Sequence, residues 1–581
     1  MEQTNQGQNF ITAPDDNAEV AMTHPLFEKH RALLEEAQAA ITRRTHWTPY
    51  PENPRAYGET ALDEGARAFE AYHNAQFYLD QPDVLGRCSG EVSPYGLPLN
   101  VSYPRCSPEG LIAAAKSVML PWVRAGIEAR TGVCLEILAR LNASSAEMAY
   151  ALMHTTGQSL ARAFLTGGPQ AQSRGLEALA WAYREMARIP GQAEWQRSPS
   201  QHLEKRFMVA PLGISLVIGS ATQPTWNAYP ALFASLATGN PVIVKPHPTA
   251  ILPLALTVAV ARQVLKEAGF AADLVSLLVG DPDDTPVVRD VSLHSSIRLI
   301  DYAGAPDLGN WLIENARQAR LFVETGGVNC VLIDSTSDYK ALLKNLVFSL
   351  CLDAGQLRSS PRLIFVSREG VQTPDDLIGP EQFRRELAFA LGKFIEDPAR
   401  AVEILGAIQS PATVARIRAA GDLAETVAEV LRPSEPVSHP QWTAARIFTP
   451  LLVAATADQQ HLYMEERFGP IAMVVTTANS AESLALAETT MRDKGALNFL
   501  VHATRPHVKQ LAEEVALRVG VTLSFNLTGA VLINQSAGFA DFHASGANPA
   551  ATCGMIDAAF VANRFYFAQV QQHYQSPTSI D

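Results

Sequence analysis

The chain has 581 residues, of which 47% are hydrophobic and 18% charged, which is typical of a globular protein and excludes disorder over the whole length. Its 46 Lys and Arg residues against 59 Asp and Glu residues give a net charge of −13. A surface of that sign disfavours binding to nucleic acids and to anionic membranes.

Six scattered cysteines without a CxxC pair exclude a disulfide framework and a zinc-finger spacing. The first residues have no basic and apolar signal sequence, and no apolar run reaches the ~20 residues that span a bilayer. We therefore expect a soluble cytoplasmic protein with about three or four domains.

Residues 1–110 are predicted to form a mostly helical N-terminal extension, of which 1–20 are frayed. Helical periodicity covers 25–42, whereas the density of Pro, Gly and Ser at 80–108 indicates an extended arm. From 107 to 189 the pattern is helical almost throughout.

After residue 205, short apolar strands alternate with helices, which is the pattern of βαβ units in a parallel sheet. The predicted strands lie at 214–218, 242–244, 274–279, 297–302, 331–333, 363–366, 451–454, 471–475 and 497–501. The predicted helices of the first unit lie at 229–237, 252–268 and 307–319. Such sheets bind ligands at the carboxyl ends of their strands.

Four segments in order carry a resemblance to a known family: Pro211–Ile218 with Trp226 and Asn227, Gly239–Pro246, Glu324–Asn329 and Glu465–Pro470. Their order and spacing resemble the aldehyde dehydrogenase superfamily over about residues 115–565. Three further segments, Gly90–Gly96, His154–Gln158 and Phe542–Pro549, look like the phenylacetic acid degradation (PaaN) branch of that superfamily.

The resemblance implies an α/β fold with a Rossmann-type cofactor domain, a second α/β catalytic domain and a small oligomerisation element. The expected boundaries are 1–110 for the extension, 111–325 for the helical region and cofactor domain, 326–525 for the catalytic domain and 526–581 for the C-terminal return. It also implies a homo-oligomer, a dimer or a tetramer.

The resemblance assigns two residues near the first strands. Asn227 offers its side-chain N–H to an oxyanion, the alternative being a turn asparagine that bonds its own backbone. Lys245 binds the adenosine ribose of NAD or NADP, the alternative being a lysine whose ammonium reaches water at the sheet end.

The nucleotide preference depends on the residues after this lysine. Relatives that prefer NAD often carry a Glu three residues past it, where this chain has Pro248. The carboxylate that repels a 2′-phosphate is therefore missing, and His247 could add positive charge. These residues favour NADP over NAD, unless His247 is simply a loop residue.

Other cofactor residues are implied on later segments. Gly304 stands in the loop that meets the dinucleotide phosphates, before a helix that begins at Pro306 and carries an unfavourable Asp307 in its first turn. Glu466 and Phe468 match the pair that holds the nicotinamide ribose and packs its ring, although core packing also accounts for Phe468. No metal site is expected.

Glu324 matches the general base that activates the hydrolytic water, a role in which burial would raise its pKa toward working pH. The alternative is a carboxylate in an ion pair at a strand end. The family nucleophile is a cysteine just after a Gly-Gln pair, about 34 residues beyond this Glu. Here Gly355-Gln356-Leu357 is followed by Arg358, which is not a nucleophile. Cys351 lies seven residues earlier, about 10 Å along a predicted helix.

Two functions remain open at this stage. The chain is either an NAD(P)-dependent oxidoreductase of phenylacetate or related aromatic catabolism, acting on a small aldehyde, or an inactive relative that binds a nucleotide or an acidic metabolite or serves in an assembly. An acidic metabolite would pair its carboxylate with Arg358.

Overall fold

The computed structural model describes residues 24–280, 285–531, 538–539 and 556–574. Three features of the sequence lie outside these residues: the frayed stretch at 1–20, the segment Phe542–Pro549 and Cys553. All statements below concern the described part of the chain.

The N-terminal extension combines helices with a small hairpin. Its elements are α1 (Pro25–Arg43), α2 (Ala61–Glu70) and the antiparallel strands β1 (Val84–Cys88) and β2 (Tyr103–Cys106). Helix α1 begins where the sequence predicts, because Pro25 fits the first helical position and the His24 side chain accepts a hydrogen bond from the Leu26 amide.

The arm between β1 and β2 joins two distant parts of the chain. The Tyr95 hydroxyl donates to the carbonyl oxygens of Gly157 and Gln158 at 3.1 and 3.0 Å. The Arg446 amide donates to the Pro94 carbonyl at 3.0 Å. The extension therefore packs on the helical region and on the second α/β unit at once.

Five helices follow, as the apolar periodicity predicts: α3 (Pro108–Arg124), α4 (Gly126–Ala143), α5 (Ser145–Thr156), α6 (Leu160–Leu165) and α7 (Ala171–Met186). A π-helical turn at Thr166–Gln170 links the last two. No single described helix is long and apolar enough to span a membrane; α3 and α4 pass that test only as a pair bent by 117°.

Two antiparallel strands, β3 (Gln192–Ser198) and β4 (Gln201–Pro211), precede the first parallel sheet. That sheet and its helices comprise β5 (Ile214–Ile218), α8 (Pro224–Ala237), β6 (Val242–Lys245), α9 (Leu252–Glu267), β7 (Val275–Leu277), α10 (Thr285–Leu293), β8 (Ile297–Gly304), α11 (Pro306–Asn315) and β9 (Arg320–Thr325). The strand order is β7-β6-β5-β8-β9, so the order reverses between β5 and β8. Ligands of doubly wound sheets bind at such a reversal.

Helix α8 begins at Pro224, five residues before the predicted start, because proline is tolerated at the first helical position. This extension places Asn227 on the first turn of a helix rather than in a loop. Helix α11 ends at Asn315, four residues early, since the chain turns there to enter β9.

The second sheet has seven strands in the order β14-β15-β16-β11-β10-β17-β18. Its strands are β10 (Cys330–Ile333), β11 (Leu363–Ser367), β14 (Glu429–Arg432), β15 (Leu451–Thr456), β16 (Ile471–Thr477), β17 (Asn498–His502) and β18 (Thr522–Phe525), and a separate pair is β12 (Val371–Gln372) and β13 (Leu377–Ile378). Its helices are α12 (Tyr339–Cys351), α13 (Pro380–Phe394), α14 (Pro398–Leu405), α15 (Pro411–Val427), α16 (Gln460–Tyr463), α17 (Ser480–Lys494) and α18 (Pro506–Val519). Only the edge strand β14 runs antiparallel.

Near the end of the described residues, α19 (Ala558–Ala562) leads into β19 (Phe565–His573). Strand β19 pairs antiparallel with β4 over nine residues and completes a three-stranded sheet in the order β19-β4-β3. The predicted α/β class, with parallel sheets and a helical N-terminal region, is confirmed.

Candidate active site

The strand register of the first sheet brings several predicted site residues to one edge. At the carboxyl end of β5, Ile218 pairs with Lys245 of β6 on one side and with Tyr302 of β8 on the other. Ala303 pairs in turn with Glu324 at the end of β9. Asn227 follows β5 on the first turn of α8, so it lies at the same edge as Glu324.

Arg358 connects the two residues that the sequence assigns to catalysis. Its Nε donates to Oε1 of Glu324 at 3.0 Å, and its Nη2 donates to Oδ1 of Asn227 at 2.7 Å. The pair is largely shielded from water, since 13% of the Arg358 side chain and 7% of the Glu324 side chain are exposed. In such surroundings a charge-assisted hydrogen bond is stronger than at the surface.

Both the oxygen and the nitrogen of the Asn227 side-chain amide make hydrogen bonds. Its Nδ2 donates to the Ser220 hydroxyl at 2.9 Å and to the Gln223 carbonyl at 3.0 Å. A guanidinium has donors only, so the amide must present its oxygen to Arg358. The side-chain N–H groups that would face an oxyanion therefore point to Ser220 and Gln223.

The loop that carries Arg358 is held by two asparagines. Asn329 donates from Nδ2 to the carbonyl oxygens of Arg358 and Ser360 at 2.6 and 2.9 Å. Asn498 donates to the Ser359 carbonyl at 3.0 Å. The position of the guanidinium is thus fixed by its backbone as well as by its partners.

The turn that precedes this loop is strained. Asp353 and Ala354 have φ values of +50° and +49°, and Gly355 follows at +62°. Left-handed conformations cost free energy for residues with a Cβ, and they persist only where the surroundings impose them. Here Arg162 of α6 holds the Asp353 carboxylate at 3.1 Å.

Neither Cys330 nor Cys351 is suited to take the place of the missing thiol. Cys330 and Cys351 are fully buried, and burial raises the pKa of both thiols. Cys351 ends α12 and is separated from Arg358 by the strained turn. A buried thiol with a raised pKa carries little of the thiolate that nucleophilic attack requires.

Glu466 lies over the Gly326-Gly327 pair, where a Cβ on Gly326 would collide with its carboxylate. Its Oε1 is buried and has no hydrogen-bond donor among the described residues. Burial raises the pKa of Glu466, and the positive charge of Arg362 opposes that shift. An unsatisfied buried acceptor is costly, so this atom fits a ligand with a donating hydroxyl group.

Phe468 is half-buried two residues further on. The Arg362 guanidinium lies 5.5 Å from its ring centre, and Arg416 donates to its carbonyl at 2.8 Å. Phe468 is thus held by contacts within the protein, through its ring and through its backbone carbonyl, as the core-packing alternative requires.

Two further candidates, Lys245 and His247, lie at the end of β6 and in the turn that follows it. Lys245 is buried at the strand end, where its Nζ donates to the Pro246 carbonyl at 3.3 Å. The His247 Nδ1 lies 2.8 Å from the Thr249 hydroxyl. Burial and the neighbouring Lys245 lower the pKa of His247 to about 4, so the ring is neutral at pH 7. The positive charge expected from His247 is absent.

Gly304 ends β8 where the sequence predicts a phosphate loop. A Cβ at this position would collide with the Tyr302 hydroxyl, which donates to the Ala305 carbonyl at 2.9 Å. The Tyr302 ring therefore folds over the glycine. Burial raises the pKa of Tyr302 to about 12, although the nearby Arg358 charge opposes the shift.

Several residues of this region were not among the sequence candidates. Asn329 stood inside a recognised segment, so its type and position could have suggested a supporting role. Arg174 of α7 and Arg162 of α6 gave no such signal, since a single arginine in a helical stretch is usually on the surface.

Comparisons with known proteins identify the family and the fold. The model of the aldehyde dehydrogenase family matches residues 107–524. A structure described as an NAD-dependent aldehyde dehydrogenase from Burkholderia multivorans is 46% identical, with a TM-score of 0.93 over 96% of this chain and 100% of that one. A 1-pyrroline-5-carboxylate dehydrogenase from Thermus with bound NAD has a TM-score of 0.69 at 19% identity, over 91% of this chain and 100% of that one. A protein of the same name from Bacillus cytotoxicus is 24% identical over 62% of this chain and 67% of its own length.

Proposed function

The chain belongs to the aldehyde dehydrogenase family, and from that premise we propose that it is a nicotinamide-dinucleotide-binding member that does not carry out thiol-dependent aldehyde oxidation. The observation that carries this proposal is the guanidinium of Arg358, bonded to both Glu324 and Asn227. The family reaction needs a thiolate at that position, a carboxylate free to activate water, and an amide N–H for the oxyanion.

Each of these requirements meets a specific obstacle. Arg358 supplies no thiolate, because its guanidinium stays protonated. The Arg358 guanidinium engages Oε1 of Glu324, one of the two oxygens that could accept a proton from water. Asn227 presents its oxygen rather than its N–H groups.

Retention of the dinucleotide site is supported by the buried, unsatisfied Oε1 of Glu466. A ribose hydroxyl is a donor of the kind this atom lacks. Lys245, buried at the end of β6, would hold the adenosine end of the ligand. When bound, the dinucleotide supplies a hydride acceptor, and the residues around Glu466 orient it.

We propose NAD rather than the NADP favoured by the sequence. The neutral His247 offers no charge to a 2′-phosphate. The Glu91 carboxylate also accepts hydrogen bonds from the amides of Ile251 and Leu252 at 2.5 and 3.1 Å. These amides lie at the N-terminus of α9, directly after the His247–Ala250 turn. The Glu91 carboxyl group therefore occupies the position at this helix N-terminus where a phosphate could bind.

The role in aromatic catabolism rests on the resemblance to the phenylacetic acid degradation branch. We propose that the second ligand is a small aldehyde or an acidic metabolite of such a pathway. We also propose a dimer or tetramer assembled through the three-stranded sheet. Met208 and Tyr566 are exposed on the same face of that sheet, and exposed apolar surface commonly marks an interface.

A second candidate is an active NAD-dependent dehydrogenase. The observation in its favour is the 46% identity, over 96% of the chain, with the Burkholderia multivorans protein of that description. In that case Arg358 would have to leave Glu324 during turnover.

One experiment separates the two candidates. Binding of NADH is measured by its fluorescence, and NADH formation is followed by absorbance with a panel of aromatic and aliphatic aldehydes. We expect NADH to bind and to raise the melting temperature, and no aldehyde to be oxidised. Turnover by the unmodified protein would support the second candidate, and failure to bind NADH would refute the proposed cofactor role.

A further inference from the structure

Arg174 is a buried cation without an ion pair among the described residues. The residue is 5% exposed, its guanidinium lies 4.5 Å from the Trp226 ring centre, and its Nη1 donates to the Trp226 carbonyl at 3.0 Å. Burial lowers the pKa of Arg174 to about 10, so the side chain remains charged at pH 7. A buried charge with no counter-ion is costly and commonly marks a place where a ligand supplies one.

The carboxylates nearest to Arg174 are already engaged. Glu177, one helical turn along α7, pairs with Arg44 at 2.7 Å. Glu324 contributes to the electrostatics of Arg174 but is bonded to Arg358.

A third ion pair, between Asp301 and Arg564, lies in the same region. Both oxygens of Asp301 accept hydrogen bonds from Arg564, at 2.6 and 2.8 Å. Three guanidinium groups, those of Arg174, Arg358 and Arg564, therefore face only two carboxylates, those of Glu324 and Asp301. The excess is one positive charge, and it belongs to Arg174.

A cavity of about 40 Å³ adjoins this charge. Its polar wall is formed by Arg174, Asn227, Asp301, Tyr302 and Glu324, and its apolar wall includes Phe322 and Phe560. Since about 10–15 Å³ of such volume holds one water molecule, there is room for about three non-hydrogen atoms. That is the size of a carboxylate group.

The donors of Arg174 that do not bond Trp226 remain available in this cavity. Nε and Nη2 make no hydrogen bond within the described residues, and neither is sealed off from solvent space. The amide of Asn227 and the hydroxyl of Tyr302 are both engaged elsewhere. Arg174 is therefore the principal donor that a small ligand would meet.

We infer that this cavity is a binding site for the carboxylate of a small organic acid and that Arg174 is its recognition residue. The site deepens the proposed function, on which it rests, by naming the chemistry of the second ligand. A carboxylate bound here would neutralise the excess positive charge and accept hydrogen bonds from Nε and Nη2 of Arg174. The Phe322 and Phe560 rings give the apolar part of the ligand a surface to contact.

The test compares an acid with its neutral amide. Acetate and acetamide have nearly the same shape and a size close to that of the cavity, and calorimetric titration of each into the full-length protein isolates the effect of the charge. We expect acetate to bind at least about tenfold more tightly, as charge-assisted hydrogen bonds imply. Equal affinity, or no binding of acetate by protein that binds NADH, would overturn the inference.

Variants then test whether Arg174 is the residue that recognises the carboxylate. Arg174→Gln retains a donor for the Trp226 carbonyl and should lose about tenfold or more in acetate affinity while binding NADH normally. Arg184→Gln is the matched control, because Arg184 lies on the same helix and packs on the Trp181 ring but does not border the cavity. Unchanged acetate affinity in Arg174→Gln would contradict the assignment.

The NADH measurement separates the two proposals. Protein that binds NADH but not acetate refutes the carboxylate site alone, whereas protein that binds acetate but not NADH refutes the dinucleotide role alone. If Arg174→Gln does not fold, Arg174→Lys keeps the charge and should still prefer the acid to the amide, and the comparison of the two ligands on the unmodified protein needs no variant.

Discussion

The guanidinium of Arg358 lies between the carboxylate of Glu324 and the amide oxygen of Asn227, at 3.0 and 2.7 Å. These residues come from a loop, the end of a strand and the first turn of a helix, and they meet only in the folded chain. The contact converts a position that serves covalent chemistry in the family into the centre of a buried polar network.

The first prediction concerns the energy of this pair. Removing one member of a buried ion pair leaves the other charge uncompensated, which typically costs about 3–5 kcal/mol. Arg358→Met should therefore lower the urea midpoint strongly, and adding Glu324→Gln should recover part of the loss. A double variant whose destabilisation equals the sum of the single ones would show that the two side chains are not coupled.

The second prediction is a gain of activity. Arg358→Cys places a thiol in the loop and releases Glu324 and Asn227, so NADH formation from aldehydes should appear at a rate at least about 100-fold above that of the unmodified protein. Arg358→Ser is the matched control, because it releases the same partners without a thiol. The prediction fails if the cysteine and serine variants are equally inactive while both bind NADH.

The third prediction concerns the nucleotide. Both oxygens of Glu91 accept hydrogen bonds, from the Ile251 and Leu252 amides and from the Tyr103 hydroxyl; burial raises the pKa of Glu91, and these hydrogen bonds oppose the rise. NADPH should bind at least about tenfold more weakly than NADH.

Glu91→Gln should narrow the difference between NADPH and NADH affinity by strengthening NADPH binding alone, since it replaces the carboxyl group by an amide that still offers an acceptor to the two backbone amides. Tyr103→Phe leaves the carboxylate in place and should preserve the ratio. Fluorescence titration of both nucleotides measures the ratio of their affinities. Equal affinities in the unmodified protein would contradict the role given to Glu91.

The fourth prediction concerns thiol reactivity. Cys330 and Cys351 should resist alkylation in the folded protein at pH 8, because burial raises the pKa of both thiols and closes access to them. Mass spectrometry of the labelled peptides distinguishes the individual sites, and the same reaction in urea provides the fully labelled reference. Rapid labelling of Cys351 under native conditions would make it a candidate nucleophile again.

The fifth prediction concerns acid stability. Burial lowers the pKa of His154, His247 and His502 to about 4, from an ordinary value of 6.5. Between these values the unfolded chain binds more protons than the folded one, so stability is full above pH 6.5 and falls as the pH drops toward 4. Each histidine contributes a slope of at most about 1.4 kcal/mol per pH unit.

His502 is the most informative of the three, because neither ring nitrogen has a hydrogen-bond partner among the described residues. In His502→Leu the melting temperature should fall less steeply between pH 6.5 and 4 than in the unmodified protein. Parallel curves for the two proteins would show that His502 does not titrate in this range.

The periodicity of apolar residues was sufficient to predict most of the parallel strands, because a buried strand needs a short apolar run whatever its neighbours are. The early start of α8 at Pro224 and the strand β9 were missed, since their polar residues interrupt that pattern. The sequence also showed that residue 358 is an arginine and not a cysteine, which was enough to question thiol chemistry.

The sequence alone thus determined the α/β class, the family resemblance and the missing thiol. It left Glu324 open as a general base or an ion-paired carboxylate, and only the tertiary structure paired it with Arg358. Only the tertiary structure also showed that the His247 ring is neutral, that Glu91 accepts the hydrogen bonds of the first amides of α9, and that Arg174 carries an excess positive charge. Local patterns encode which segments become strands and helices, whereas charge pairing and pKa depend on burial and on residues that are distant in the sequence, 34 positions apart for Glu324 and Arg358 and 131 for Asn227 and Arg358.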